Sequence, residues 1–258
     1  MTLEIALFGS GNECSSIKFV LNTLVNNNAI RITDIVATSN CKLEDERSIH
    51  GGNIRFHTIE NETINLKERH IFENRIKAFW NDIPLPNVIM LLGWNFILTS
   101  DFLDFFRKNN CLVVNLHPAL PGSFVGARAV QNTFTELQNW RMSKTGSMIH
   151  VVTSNLDRGR VLGVSNVEMN PALIKTEGEL RYIIKIHEKP LILNVINKLV
   201  NEQQNNGLLS LLSESNESFD SAIKSKYLPF YRGKVRDVTN IGHNLILLIH
   251  KFKHKKKI

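Results

Sequence analysis

Short apolar runs alternate with stretches of helical periodicity along most of this chain, and that alternation limits the folds open to it more than any other feature. Leu3 to Phe8 is strand-like, a small-residue turn follows, and Ile17, Val20, Leu21 and Leu24 then fall on one face of a helix. Further strands are predicted at Ile30 to Thr38, Val88 to Leu92 and Cys111 to Leu116, with helices at about Asn65 to Trp80 and Ser100 to Lys108 between them. Elements in this order pair their strands in parallel and cross over through helices, so the fold class is α/β. After Gly126 the pattern gives a helix to about Gln138, strands at Ser147 to Thr153 and Val161 to Met169, and an amphipathic helix from about Glu177 to Val200.

Composition narrows the setting. No apolar run reaches the roughly 18 to 20 residues that span a bilayer, and the start MTLEIALFGSG has neither the basic residues nor the cleavage site of a signal peptide. A cytoplasmic protein with no membrane partner is expected. Cys14, Cys41 and Cys111 are odd in number and widely spaced, so neither a disulfide framework nor a zinc site is expected. The net charge of +7 is misleading until it is located: Lys224 to Ile258 holds ten Lys or Arg against Asp237 alone, a local +9, which leaves −2 for residues 1–223. Nucleic acid is therefore not the expected partner of the main body. The polar stretches Asn201 to Gly207 and Ser213 to Ser221 mark a change of composition. They divide the chain into a catalytic domain over 1–202, a linker over 203–223 and a short extension over 224–258. That extension has two strand-like runs about Asn240 to Gly242, too few to form a domain alone.

The segment CLVVNLHPALPGSFVGARAV carries the most chemistry. Alternation along a strand sends Asn115 and His117 to the same face, and Pro118 and Pro121 then end the strand. Ligands of open parallel sheets bind beyond the carboxyl ends of the strands, which is where this amide and imidazole fall. An Asn amide can donate to a developing oxyanion, and a His exchanges protons near neutral pH. His150 ends another predicted strand, and Asp157 follows in a turn that Gly159 allows to reverse sharply. An Asp beside His117 would raise the imidazole pKa and orient the ring. Asn, His and Asp suffice for acyl transfer to an amine without a metal. Each taken singly also has an ordinary structural reading, Asp157 as a turn aspartate. The turn Gly9, Ser10, Gly11, Asn12, between a strand and a helix, offers backbone N–H groups to a phosphate but would equally suit a plain connection.

NLHPALPG together with HVVTSNLDRG closely resembles the phosphoribosylglycinamide formyltransferase family, its fungal-type members above all, over roughly residues 3–200. The resemblance implies a three-layer, Rossmann-like fold with a mostly parallel sheet. It implies transfer of a formyl group from 10-formyltetrahydrofolate to the amine of glycinamide ribonucleotide, a step of purine (IMP) biosynthesis, with no metal. Asn115 would stabilise the oxyanion, His117 would relay protons, Asp157 would position His117 and help deprotonate the amine, and His150 would organise the three. The family's S-G-x-G-S-N-L turn implies that Gly9, Ser10, Gly11 and Asn12 hold the phosphate. This chain departs from it by an extra residue and by Glu13, so Ser15 or Ser16 is expected to take over a contact. GWNFIL implies that Trp94, Asn95, Phe96, Ile97 and Leu98 border the folate pocket. IIKIHEKP implies that Lys185 meets phosphate and Glu188 the substrate ammonium, although a Lys and a Glu three apart on a helix are usually a solvated pair. The histidine usual after Gly126 is missing; Arg128 stands nearby and cannot shuttle protons.

Tyr231 to His250 resembles the N-terminal strands of SAICAR synthetase, where GKVRD covers ATP phosphates. So short a piece implies an interrupted fusion without synthetase activity, and association with other purine-pathway enzymes. Three alternatives stay open. Methionyl-tRNA formyltransferases carry R-G-x-x-P after the His loop and a basic C-terminal domain; formyltetrahydrofolate hydrolases add an N-terminal regulatory domain. A non-catalytic nucleotide-binding relative is the third.

Overall fold

The first strand is apolar on both faces, and that decides how the chain must fold. In the computed structural model, which describes residues 1–24, 26–60, 68–205 and 207–213, β1 (Leu3–Gly9) sends Leu3, Ile5 and Leu7 into one buried cluster and Ala6 and Phe8 into another. A strand so placed needs helices on both sides of its sheet. The chain runs from β1 through α1 (Ser15–Leu24), β2 (Ile30–Thr38) and α2 (Glu44–His50) to β3 (Arg55–Ile59). After α3 (Arg69–Lys77) come β4 (Val88–Leu92), α4 (Ser100–Lys108) and β5 (Leu112–His117). Next are α5 (Ala129–Gln138), β6 (Lys144–Val151), β7 (Val161–Glu168), α6 (Glu177–Gln204) and α7 (Leu208–Ser213).

The sheet order is β3-β2-β1-β4-β5-β6-β7, parallel through β5 and antiparallel across β6 and β7. The alternation implies the parallel pairing, and the sequence resemblance the three-layer, mostly parallel arrangement, that are found here. One layer packs α1, α6 and α7 on the face of Leu3, Met90 and Val114; the other packs α3 and α4 on the face of Phe8, Ile89 and Val113. Each fully buried side chain of this size contributes roughly 1.5–3 kcal/mol. Helix ends are fixed locally. Thr176 and Glu179 form a capping box at the start of α6, and Thr99 caps α4 while Glu73 accepts from the Thr99 backbone N–H at 2.7 Å. The order in which strands are added to the sheet reverses between the parallel neighbours β1 and β4, so the crevice beyond their carboxyl ends is the natural ligand position.

Several expectations change. β3 and α2 carry no clear apolar period and were absent from the sequence reading. α3 begins at Arg69 among the described residues, whereas the start expected at Asn65 lies outside them. The linker expected over 203–223 starts inside helical structure: α6 continues to Gln204, and α7 buries Leu208, Leu211 and Leu212 against the core. The apolar run LLSLL outweighs the polar composition around it. Residues 214–258, with the expected extension and its SAICAR synthetase-like segment, lie outside the described residues. The cysteine expectation is corrected as well. Cys14 and Cys41 are bridged sulfur to sulfur, because parallel pairing of β1 and β2 brings the loops after both strands side by side. No described helix is long and apolar enough to cross a membrane, and no metal-ligating cluster occurs among the described residues.

β3 holds one side of a buried ionic cluster. Asp34 of β2 is fully buried and accepts from Arg55 Nε and an Arg55 terminal nitrogen at 2.8 Å each, and from Trp80 Nε1 at 3.3 Å; His57 Nε2 lies 2.9 Å away. Burial alone would raise the Asp34 pKa. Hydrogen bonds from His57, Arg55 and Thr33, with the charge of Arg55, lower it instead to about 2. Because this lies below the unfolded value near 3.9, the stabilisation is complete above that value and is lost as pH falls toward 2. Asp34→Asn should therefore cost about 2–3 kcal/mol in urea unfolding at neutral pH and flatten the acid limb of the stability curve. An unchanged acid limb in the variant would show that Asp34 is not its source.

Candidate active site

Strand alternation sets the first two residues. Val113, Asn115 and His117 share the face of β5 opposite Leu112, Val114 and Leu116. The antiparallel partner β6 then places His150 directly across from Asn115, and Met148 across from His117. The loop after β6 returns Asp157 to the same place. Gly159 makes this return so close that a Cβ there would sit 1.8 Å from the Val151 carbonyl oxygen, and Asp157 itself adopts a left-handed φ of 52°.

The four side chains converge. Asn115 Nδ2 lies 3.4 Å from Asp157 Oδ1 and 3.4 Å from His150 Nε2. Asp157 Oδ1 lies 3.4 Å from His150 Nε2, and its Oδ2 lies 3.5 Å from His117 Nδ1. The Gly126 N–H donates to Oδ2 at 2.7 Å, from a loop that Gly126 turns with a φ of 75°. His117, His150 and Asp157 are all buried. Two short contacts orient the rings: His150 Nδ1 to the Val151 carbonyl at 2.9 Å, and His117 Nε2 to the Phe124 carbonyl at 2.7 Å. With Nδ1 turned to the carbonyl, His150 Nε2 faces both the Asn115 amide and the Asp157 carboxylate.

Burial would raise the pKa of Asp157. The His150 hydrogen bond, the His117 charge and the Gly126 N–H together bring it below the ordinary carboxylate range, so it is ionised at neutral pH. His117 differs from expectation. Burial lowers its pKa, and this outweighs the upward pull of the Asp157 charge and of the Phe124 carbonyl. Both its nitrogens face acceptors, a setting that suits a proton arriving during reaction.

These residues border a cavity of about 510 Å³ whose walls include every catalytic, substrate-binding or folate-binding candidate except Gly9 and Ser10; Arg128 is not among them. Trp94, Asn95, Phe96, Ile97 and Leu98 form one wall, with Ile97 half exposed and the Trp94 ring packed on Phe8, Phe72 and Phe96. Gly11, Asn12, Ser15 and Ser16 lie at the end nearest α1, where Lys185 Nζ stands 3.4 Å from Ser15 Oγ. Glu188 is buried and accepts from Ser147 Oγ at 3.1 Å; burial raises its pKa against the opposing pull of Ser147, Lys185 and Arg181. Glu13 faces Lys42 at 3.9 Å. Gly9 and Ser10 stand behind this wall. A Cβ on Gly9 would meet Ile17 at 2.6 Å, and the Ser10 hydroxyl donates to the Gly93 carbonyl at 3.1 Å and accepts from the Asn95 N–H at 2.8 Å. Ser10 thus ties β1 to the 93–98 wall. Sequence reasoning missed the Gly126 N–H, Ser147, Cys14 and Arg181. Arg181 carried a signal, since it lies four residues before Lys185 and lines the same cavity; a backbone N–H leaves none.

The sequence profile of the family described as formyl transferase matches residues 3–196. Phosphoribosylglycinamide formyltransferase of Schizosaccharomyces pombe is 29% identical over 121 residues, 46% of this chain and 56% of the relative. The matched stretches span about half the length of the curated relatives. In fold, the chain is similar to phosphoribosylglycinamide formyltransferase from Bacillus halodurans (TM-score 0.63, 19% identity, 78% of this chain and 97% of that one). It is equally similar to a formyltetrahydrofolate deformylase from Pseudomonas syringae (TM-score 0.63, 15% identity, 78% and 62%).

The geometry makes one prediction independent of any substrate. Asp157→Asn removes the charge that lifts the His117 pKa, so in histidine NMR titrations His117 should titrate at lower pH in the variant than in the parent. An upward shift, or none, would mean that the carboxylate is not electrostatically coupled to this ring.

Proposed function

We infer that this chain, which belongs to the formyl transferase family, moves the formyl group of 10-formyltetrahydrofolate to the amine of glycinamide ribonucleotide. The observation that carries the reading is the convergence of Asn115, His117 and Asp157 on one cavity. The names of the relatives support the choice of substrates.

The chemistry follows from charge. The amine lone pair attacks the formyl carbon, and the carbonyl oxygen becomes an oxyanion that the Asn115 N–H stabilises, helped by His117 once protonated. The contacts of Asn115 to His150 and Asp157 are long at 3.4 Å, so its N–H groups can be redirected to the oxyanion at small cost. Asp157, ionised and buried, draws the proton from the attacking nitrogen and hands it to His117 at 3.5 Å, which passes a proton to the departing folate nitrogen as the carbon–nitrogen bond breaks. The apolar wall Trp94–Leu98 receives the folate ring, Glu188 the substrate ammonium, and Lys185 with the Gly11–Ser16 turn the phosphate. Holding amine and formyl carbon together removes much of the entropic barrier.

A cytoplasmic site of action fits this reading. Association with other purine-pathway enzymes, and the likeness of Tyr231 to His250 to SAICAR synthetase, rest on the sequence alone. A second reading, hydrolysis of the formyl group by water, draws on the similarity to the deformylase; the end of the cavity lined by Arg181 and Lys185 favours a phosphorylated acceptor instead.

Formyl transfer followed by folate absorbance should depend on glycinamide ribonucleotide. Asn115→Ala should lower kcat about 10²–10³-fold, and Asp157→Asn about 10²–10⁴-fold. Formate release at the same rate without the ribonucleotide would replace transfer with hydrolysis, and no turnover by the intact chain would leave a binding protein.

A further inference from the structure

The cavity's phosphate end contains a feature that formyl transfer does not use. Cys14 lines the cavity immediately before α1, and Cys41 lies in the loop after β2; their Cα atoms are 5.9 Å apart and their sulfurs are bridged. That separation is within the usual range for a disulfide. The same two sulfurs lie where thiols would also be satisfied. Cys14 Sγ is 3.1 Å from the Gly11 carbonyl oxygen, and Cys41 Sγ is 3.2 Å from it and 3.4 Å from that of Gly9. Each sulfur thus has a carbonyl oxygen beside it to which a thiol can donate once the bridge is opened.

The pair also joins the two loops that shape the turn. The Lys42 N–H donates to the Asn12 carbonyl at 3.0 Å, and Asn40 Nδ2 to Asn12 Oδ1 at 2.7 Å. Cys14 itself has a φ of 42°, a left-handed conformation that a bridge would help hold. Cys111 takes no part: it is buried elsewhere, and burial holds its thiol far above the ordinary range.

We propose that Cys14 and Cys41 form a reversible thiol–disulfide site that sets the affinity of the Gly11–Ser16 turn for a phosphorylated ligand, the bridged form binding more tightly. The co-reactant class is a small organic disulfide such as oxidised glutathione. The Cys14 thiolate, reached through the cavity, attacks one sulfur of the small disulfide and expels one thiolate. The Cys41 thiolate then attacks Cys14 in the mixed disulfide and expels the second. Two protein thiols are oxidised, one disulfide is reduced to two thiols, and the two protons pass to the leaving sulfurs. In a reducing compartment such a bridge is transient, as a regulatory pair must be. Tighter binding follows because the bridged turn has less freedom to lose when an anion is seated. The proposal rests on reading this turn as the phosphate seat.

The test uses the full chain equilibrated with reduced or oxidised glutathione, then denatured, alkylated and weighed. The reduced protein should carry three alkyl groups and the oxidised protein one, on Cys111. Binding of ribose 5-phosphate, which needs no formyl transfer, is measured on both forms and should be about fivefold tighter after oxidation. The double variant Cys14→Ser, Cys41→Ser, which has no thiol at the turn to hold a mixed disulfide, should bind equally before and after the same treatments. Three alkylated thiols after oxidation, or one dissociation constant for both forms, overturns the proposal. Failure of formyl transfer with redox-dependent binding retained overturns only the reading of the reaction.

Discussion

The Asp157 carboxylate is the fixed point on which the site depends. Its two oxygens gather the Gly126 N–H, the imidazoles of His117 and His150 and the Asn115 amide, groups drawn from β5, β6 and the loop after β5. A buried anion is tolerated only when donors surround it, since the cost of removing it from water is several kcal/mol. The Gly126 contact is the shortest of the four, and it comes from backbone. Charge therefore does not leave with a side-chain rotation, and the loop carrying Gly126 is held closed over the strand ends by the same bond that keeps Asp157 ionised.

Topology decides where this cluster meets a ligand. The reversal between β1 and β4 opens a crevice at the carboxyl ends of the strands, and β5, next in order, delivers Asn115 and His117 into it. The two ends of the cavity are then built by different loops. Ser10 locks the loop after β1 to the loop after β4 through Gly93 and Asn95. The apolar wall and the start of the loop after β1 are thus tied together at one rim of the cavity.

How much of this was legible depended on whether a feature lives in side-chain pattern or in long-range pairing. β1 and β4 are buried on both faces and β5 opens on an apolar run, so all three could be read directly. β3 could not, because its RFHTI mixes the polar partners of Asp34 with strand-forming residues, and an edge strand needs only one covered face. The shared face of Asn115 and His117 followed from alternation. The pairing of His150 with Asn115 did not, since register across β5 and β6 is set by the long loop and helix between them. Ser10 was read as a phosphate contact because its turn has the right composition; its hydroxyl is committed to Gly93 and Asn95, which lie more than eighty residues away. The cysteines misled for the same reason: spacing along the chain says nothing of two loops made neighbours by a parallel pair. His117 shows the limit for electrostatics, where a neighbouring carboxylate was foreseen but the stronger effect of burial was not.

The departure at Glu13 weighs less than its formal charge implies. Its side chain is 72% exposed and faces Lys42. At about 4 Å a pair of unit charges in bulk water interacts by only about 1 kcal/mol, and salt screens what reaches further. The groups that favour an anion are less accessible to that screening. The first turn of α1 presents backbone N–H groups with no intrahelical partner, and Lys185 is held over it beside Ser15. Arg181 lines the same cavity, although it also meets Glu177 at 2.6 Å. A carboxylate directed into solvent beside a lysine changes this balance little, whereas one directed onto the α1 N-terminus would reverse it. The inserted residue is therefore compatible with an anion seat because of where the turn aims it, and the turn is aimed by the Asn12 and Cys14 contacts with the loop after β2.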